Sequence, residues 1–147
     1  MKTLILIKPD AIQKRLTGII LDRIESMGFQ MCAAKVAVVT DELARKHYSN
    51  LEGNPVLDGV VKFMRGDYNG IDNHRVYAFV YKGDDIIQKI RALIGKTDPF
   101  QADPHTIRGQ FGLNIRGVME NCIHASGSPE EAEREIALWF KPEEIVE

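Results

Sequence analysis

The chain has 147 residues, of which 44% are hydrophobic and 27% are charged, and its formal net charge is -2. This composition indicates a soluble globular protein with one domain over residues 1–147, and it excludes a disordered chain. A net charge so close to zero gives no overall field that would attract nucleic acid or an acidic membrane. Nucleic acid is therefore not expected as a partner, and an anionic ligand must be held by a local group of donors.

The first half of the chain begins with "TLILI" (3–7), a continuous apolar run that predicts a central strand buried on both faces. Apolar residues then recur every three to four positions from Ile12 to Met27, which predicts one amphipathic helix ending at Gly28. Residues 29–39 are strand-like. A less regular helical region runs from Asp41 to about Met64 and is interrupted by "EGNPVLDG".

The second half predicts a polar loop, a strand, a helix, a long irregular stretch, another strand and a final helix, at residues 66–75, 76–81, 84–95, 96–117, 118–123 and from 128 onward. The order is therefore βαβ, a helical insertion and a second βαβ. This order predicts an α+β fold, a ferredoxin-like split βαβ sandwich whose antiparallel sheet carries helices on one face, with an inserted helical region.

Few features bear on location. The cysteines, Cys32 and Cys122, are not spaced as a metal site or a redox pair. Two free thiols are typical of a reducing cytosol, so a cytoplasmic protein is expected. No apolar stretch reaches membrane-spanning length, and no membrane partner is expected.

The polar stretch "NCIHASGS" (121–128) holds His124 directly before the final helix. Ser128 is the predicted N-cap of that helix, and Glu131 is predicted to complete a capping box. Glu135 lies on the shoulder of the helix's apolar face, where its carboxylate can hold an imidazole in one tautomer and leave the other ring nitrogen free as a nucleophile. From these residues alone, His124 is either a hydrogen-bonded structural residue or a reactive group.

Motifs along the rest of the chain bear on that choice: "KPDAIQ", "HYSNLEGNP", "IGKTDPFQADPHTIRGQFG", "NCIHASGS" and "EEAEREIALWFKPEEIVE". In this order and at these separations they resemble the nucleoside diphosphate kinase family across essentially the whole chain. "TIRGQF" and "EREIALWFKPEE" are the most specific of them. The resemblance implies a ferredoxin-like core and ping-pong transfer of a γ-phosphate from a nucleoside triphosphate to a diphosphate, through a phosphohistidine.

The resemblance also implies roles for single residues. His124 matches the family's nucleophile, Glu135 the carboxylate that hydrogen-bonds it, and Tyr48 the tyrosine that positions the histidine and the γ-phosphate. Residues that match the family's nucleotide contacts are Lys8, Val56, Arg91, Thr97, Arg108 and Asn121. Val56 stands where the family usually has an aromatic that stacks on the base, so base recognition is expected to be loose.

Mg²⁺ is the implied cofactor, bound through the nucleotide phosphates rather than by a protein cage. The implied assembly is a homo-oligomer, a hexamer or a tetramer built from dimers. The chain departs from the family at four places. Ala125-Ser126-Gly127 replaces Gly-Ser-Asp after the histidine, Asn50 replaces an aspartate, and the segments 66–75 and 112–120 are longer. These departures leave open a second hypothesis, a catalytically weakened member that acts as a nucleotide-binding or scaffolding module.

Overall fold

The structure, a computed structural model, describes residues 1–115 and 118–147. Its strands and helices follow in chain order as β1 (Lys2–Ile7), α1 (Pro9–Gln13), α2 (Thr17–Glu25), β2 (Gln30–Val38), α3 (Asp41–His47), α4 (Leu57–Met64), β3 (Arg75–Lys82), α5 (Ile86–Ile94), α6 (Ile107–Phe111), β4 (Leu113–Ile115), β5 (Val118–Glu120), β6 (Ile123–Ala125) and α7 (Pro129–Trp139). Among the described residues, no helix is both long and apolar enough to span a lipid bilayer.

Four strands form the main sheet in the order β2-β3-β1-β6, and every neighbouring pair is antiparallel. Because β1 and β2 are both antiparallel to β3, they run parallel to each other with β3 between them. This is the split βαβ arrangement, so the ferredoxin-like α+β expectation is confirmed. β1 occupies a central position, and β6 pairs with it so that Leu6 lies opposite His124.

Helices cover both faces of the sheet, not one face as expected. On one face Ile5 and Ile7 of β1 pack in a cluster with residues of α2 and α5. On the other face Leu4 and Leu6 pack in a cluster with residues of α4 and α7. The apolar run of β1 explains the correction, because alternate side chains of a strand point to opposite faces and here both sets need cover.

The helix predicted from Ile12 to Met27 is two helices, α1 and α2. Arg15, between them, has a φ of 57°, a left-handed conformation that an α-helix cannot contain. The backbone N–H of Arg15 bonds to the carbonyl of Ile12 and that of Leu16 to Ala11, which closes α1 in a turn. Apolar spacing alone does not reveal this break, because the apolar side chains of both short helices pack in the same core cluster. The other predicted elements of this half, β2 and the irregular helical region, are present with slightly shifted ends.

The strand predicted at 118–123 is also two strands. β5 pairs with β4 in a separate hairpin, and β6 joins the main sheet. Asn121 and Cys122 separate them, and Cys122 has a φ of 71°. The segment 112–120, which the resemblance makes longer than in the family, contains the two strands of this hairpin. Residues 116 and 117 lie outside the described residues. The irregular stretch from 96 onward also holds α6.

Candidate active site

His124 lies on β6 beside the central strand, and the carboxylate of Glu135 approaches it from α7. The Nε2 atom of His124 is 2.9 Å from Oε2 of Glu135. Glu135 is only 3% exposed although it is charged, because the sequence places it on the buried side of α7 with Ile136 and Trp139. The structure therefore places these two side chains next to each other.

The pKa values of the pair favour a neutral imidazole beside an ionised carboxylate. Burial lowers the pKa of His124, against the opposing effect of Glu135. Burial alone would raise the pKa of Glu135, but its interactions with His124 and Ser126 outweigh burial and lower it. The imidazole is thus neutral near pH 7. A proton on Nε2, the nitrogen beside the carboxylate, leaves Nδ1 with the free lone pair that a nucleophile needs.

His47 lies in the site, although the sequence reasoning did not point to it. It is 3% exposed, and its ring packs edge-on against that of His124 with 4.4 Å between centroids. Its Nδ1 accepts a hydrogen bond from Nε1–H of Trp139 at 3.1 Å. Burial, followed by the charges of His124 and Lys8, lowers the pKa of His47 to about 2. The uncharged ring of His47 therefore packs against His124 and limits the orientations that the His124 ring can adopt.

His47, His124 and Glu135 also offer possible metal-ligand atoms within 4.8 Å of one another. Two of these atoms already have other partners, because Nδ1 of His47 faces Trp139 and Oε2 of Glu135 faces His124. A metal at this point would displace both contacts. We interpret the cluster as a network that positions the imidazole of His124.

Lys8, Asn121 and Thr97 form a second group, linked by hydrogen bonds. Nζ of Lys8 donates to Oδ1 of Asn121 at 2.8 Å, and Nδ2 of Asn121 donates to the Thr97 carbonyl at 3.0 Å. Burial lowers the pKa of Lys8 to about 8, and the nearby charge of Arg108 adds to this effect. The ammonium is therefore held in place and only partly compensated, which suits it to an anionic ligand.

Arg108 is fixed by three backbone carbonyls. Its guanidinium donates to Asn121 at 3.3 Å, to Gly95 at 3.1 Å and to Ile123 at 2.8 Å. Two of its five N–H groups remain for a ligand. Burial, with the charge of Arg91, lowers the pKa of Arg108 to about 10, so it stays a cation. Arg91 itself lies exposed on the last turn of α5.

Two neighbouring pockets gather most of the candidate residues. One pocket has a volume of about 430 Å³ and is lined by five of the candidates: Lys8, Tyr48, Val56, Thr97 and Asn121. The rest of its lining is apolar side chains and one glycine: Leu51, Pro55, Val60, Phe63, Met64, Val118, Met119 and Gly59. The other, of about 380 Å³, lies beside His124, Glu135 and His47. Tyr48 lines both pockets and so lies between His124 in one and Lys8 in the other. Burial, reinforced by the charge of Glu135, raises the pKa of Tyr48 and keeps its phenol protonated.

Val118 and Met119 on β5 are pocket residues that the sequence did not reveal. The one signal was that the lengthened segment 112–120 directly precedes Asn121. They add apolar surface to the pocket that Val56 also lines. Val56 is 45% exposed and available to a ligand.

Two residues of "KPD" form hydrogen bonds with the backbone of Cys122, which lies between Asn121 and His124. The N–H of Lys8 bonds to the carbonyl of Cys122 at 2.9 Å, and Oδ2 of Asp10 accepts from the N–H of Cys122 at 3.0 Å. These bonds maintain the left-handed conformation of Cys122, which costs about 1–3 kcal/mol in a residue other than glycine. Strain of this kind is typical of active sites. Here the strained residue lies between Asn121 and His124, so one short segment positions both side chains.

The two lengthened segments contact each other. Asn69, in the loop at 66–75, is 7% exposed, and its Nδ2 donates to Oε1 of Gln13 at 2.9 Å and to Oε1 of Glu120 at 3.3 Å. Glu120 is the last residue of β5. The longer loop thus braces the strand that leads into Asn121.

Together with the ferredoxin-like sheet, a site of this kind places the protein among the phosphotransferases that bind nucleotides. Residues 1–145 match the family model described as nucleoside diphosphate kinase. The chain therefore belongs to the nucleoside diphosphate kinase family.

Individual relatives agree with this assignment. A nucleoside diphosphate kinase of Synechococcus sp. (strain JA-3-3Ab) is 44% identical over 145 residues, which are 99% of this chain and 91% of the relative. The halophilic nucleoside diphosphate kinase of Halobacterium salinarum, solved in complex with CDP, is 38% identical with a TM-score of 0.87, over 100% of this chain and 91% of that one. The Borrelia burgdorferi enzyme, solved as a transition-state mimic with vanadate and ADP, is 37% identical with a TM-score of 0.87, over 100% and 90%.

Proposed function

We propose that this protein transfers the γ-phosphate of a nucleoside triphosphate to a nucleoside diphosphate by a ping-pong route through a phosphohistidine on His124. The observation that carries the proposal is the 2.9 Å contact between Nε2 of His124 and the buried carboxylate of Glu135. A histidine with only a structural role does not need a buried, ionised acid on one nitrogen and a free lone pair on the other.

In the first step, Nδ1 of His124 attacks the γ-phosphorus. A nitrogen–phosphorus bond forms while the bond from phosphorus to the β,γ-bridging oxygen breaks, and the nucleoside diphosphate leaves. Nε2 keeps its proton, and Glu135 stabilises the positive charge that develops on the ring. In the second step, a terminal oxygen of another nucleoside diphosphate attacks the same phosphorus and restores the imidazole.

The cations serve this transfer because its transition state spreads negative charge over the phosphoryl oxygens. We assign phosphate binding to Lys8, Arg91 and Arg108, and hydrogen bonding of phosphate or ribose to Thr97 and Asn121. Tyr48 lies between the pockets, where it positions His124 and the γ-phosphate. In the relatives, the bound CDP and the ADP with vanadate support a nucleotide as the ligand.

Magnesium belongs to the substrate in this proposal. Among the described residues, the 430 Å³ pocket has basic, neutral polar and apolar side chains in its lining and no carboxylate. Mg²⁺ would enter with the nucleotide, because this ion usually keeps water and substrate phosphates as ligands. Its chemistry is to neutralise charge on the phosphate oxygens.

We also propose loose base selection. The base would lie against Val56, Val60 and Met119, and apolar contact does not distinguish the hydrogen-bonding edges of the bases. We further propose a single cytoplasmic domain that assembles into a homo-oligomer, as the family resemblance implies.

Steady-state kinetics test the reaction. With the triphosphate and the diphosphate varied together in the presence of Mg²⁺, a ping-pong enzyme gives parallel lines in double-reciprocal plots. Intersecting lines would point to direct transfer in a ternary complex. No turnover with intact ADP binding would identify the protein as a nucleotide-binding module.

A further inference from the structure

Arg134, on α7, is hydrogen-bonded to the end of α3. Its Nη1 donates to the carbonyl of Lys46 at 3.1 Å, and its Nη2 donates to the carbonyl of His47 at 3.4 Å. Both carbonyls belong to the last turn of α3, where the helix itself provides no N–H partners. A cation at the C-terminus of a helix is also favoured by the helix dipole. Arg134 therefore fixes the end of α3 against α7.

The end of α3 carries two side chains of the site. The ring of His47 packs edge-on against that of His124, and Tyr48, the next residue, lines both pockets. The rings of His47 and Tyr48 also pack against each other, with 4.7 Å between centroids. A shift of the end of α3 would therefore move both rings relative to His124.

The same guanidinium lies beside the acid of the site. Among the described residues, three basic side chains have a nitrogen within 4.0 Å of Oε2 of Glu135: His124 at 2.9 Å, His47 at 3.9 Å and Arg134 at 4.0 Å. At its distance Arg134 acts through charge and not through a hydrogen bond. The two imidazoles are neutral near pH 7, so Arg134 provides the positive charge at this range.

The pKa of Glu135 reflects this charge. Burial alone would raise the pKa, whereas the interactions with His124 and Ser126, and then the charge of Arg134, lower it. Arg134 thus contributes to keeping a carboxylate that is only 3% exposed in its ionised form.

The start of α7 is fixed as well, which defines where Arg134 lies along the helix. Oγ of Ser128, the N-cap, accepts from the N–H of Glu131 at 3.1 Å. The carboxylate of Glu131 accepts from the N–H of Gly127 at 3.0 Å and not from that of Ser128, so the expected capping box is not formed. The helix start is nevertheless anchored by both bonds.

We propose that Arg134 is a positioning residue for the phosphoryl transfer, and that it holds the end of α3 and the carboxylate of Glu135 in place around His124. The proposal rests on the proposed function, in which His124 is the nucleophile. Arg134 lines the pocket beside His124, and in the part of the chain that the structure describes it is not in the lining of the 430 Å³ pocket. Its effect should therefore fall on the reactivity of His124 and not on nucleotide binding.

The test compares the parent protein with Arg134→Gln, Arg134→Lys and the matched control Lys46→Gln. Three quantities are measured: the rate at which the protein is labelled in a single turnover with γ-labelled ATP and Mg²⁺, the Kd for ADP, and the pH titration of the His124 imidazole by NMR. The signal of His124 is identified by its absence from His124→Ala. Lys46→Gln removes an exposed cation from the same turn of α3, whose ammonium pairs with Glu42 at 2.8 Å, and should change none of the three.

In Arg134→Gln, labelling should be about three- to tenfold slower, because charge-assisted hydrogen bonds to α3 are lost, while the Kd for ADP stays the same. The imidazole of His124 should titrate at higher pH than in the parent, since a cation that disfavours the protonated ring is removed. Lys8 and Arg108, whose charges also lower the pKa of His124, are unchanged in this variant. Arg134→Lys keeps the charge, so it should retain the parent titration and recover part of the rate.

The parent labelling rate or the parent titration in folded Arg134→Gln would overturn the proposal. A loss of rate matched by an equal loss of ADP affinity would overturn it too, because Arg134 would then act on nucleotide binding. The guanidinium is 44% exposed, so water can replace it at the carbonyls and the variant should fold. Thermal unfolding checks this, and Arg134→Met takes its place under the same criteria if it does not fold.

A parent protein that is never labelled would refute the proposed function. The titration of His124 does not require catalysis, so it would still decide whether Arg134 acts on the imidazole and its carboxylate.

Discussion

Nε2 of His124 lies 2.9 Å from Oε2 of Glu135, and the carboxylate that makes this contact is 3% exposed. An ion buried to this extent is costly unless it is paired, so the pair acts as a unit. The contact fixes which ring nitrogen carries the proton and leaves Nδ1 available.

Glu135→Gln should lower kcat about 30-fold, since a hydrogen bond to a charged group contributes about 2 kcal/mol. It should also move the acid limb of the kcat/KM profile to lower pH, because Glu135 raises the pKa of His124 and burial lowers it. Stopped-flow or coupled assays from pH 5 to 9 measure both effects. Glu133→Gln, an exposed acid on the same helix, is the control. A limb that moves to higher pH would contradict this assignment.

Lys8 should produce the alkaline limb of the profile. Burial lowers its pKa to about 8, so the ammonium loses its proton as the pH rises past that value. Because the neutral amine no longer attracts phosphate, kcat/KM of the free enzyme should fall above about pH 8. In Lys8→Arg the charge persists, and the fall should vanish even if the overall activity is lower. A flat profile of the parent protein up to pH 9.5 would exclude this role for Lys8.

Gly95→Ala should destabilise the fold by about 2 kcal/mol, as expected for left-handed strain in a residue with a side chain. Gly95 has a φ of 88°, and a Cβ there would lie 2.4 Å from Oγ1 of Thr106, the N-cap of α6. Denaturant unfolding gives the free energy of unfolding. Gly18→Ala is the matched control: it lies in α2 with open space around it, and alanine should be neutral or stabilising there. Equal midpoints for the two variants would argue against the strain.

Asn69→Ala should lower the local stability of the β4–β5 hairpin. Its amide donates to Gln13 and Glu120, and losing these bonds leaves two acceptors partly unpaired, at a cost of about 1–2 kcal/mol. Hydrogen exchange of the hairpin amides should become faster, and the KM for the nucleotide should rise because β5 leads into Asn121. Asp72→Ala, exposed in the same loop, should change neither quantity. Unchanged exchange in Asn69→Ala would show that the longer loop does not brace the hairpin.

Local patterns in the sequence predicted what depends on local chemistry. The run "TLILI" predicted a strand buried on both faces, and helical periodicity placed Glu135 on the buried shoulder of α7. The family motifs supplied candidate nucleotide contacts from distant parts of the chain. The structure brings Lys8, Thr97 and Asn121 into one hydrogen-bonded group and puts Arg108 beside them.

The remainder depends on contacts between distant segments, which periodicity does not report. The packing of His47 against His124 and Trp139 joins α3 to β6 and α7, which come much later in the chain. The breaks at Arg15 and Cys122 are single left-handed residues within apolar patterns. These features arise from tertiary packing that overrides local preference.

The most direct test of the central claim is the identity of the phosphorylated atom. The parent protein, incubated briefly with γ-labelled ATP and Mg²⁺, should carry an acid-labile, base-stable label that is discharged when a nucleoside diphosphate is added. The same label should be absent from His124→Ala, which should still fold because His124 lies on β6, a strand at the edge of the sheet. A label that persists in His124→Ala, or a parent protein that turns over nucleotides without ever becoming labelled, would contradict the phosphohistidine mechanism.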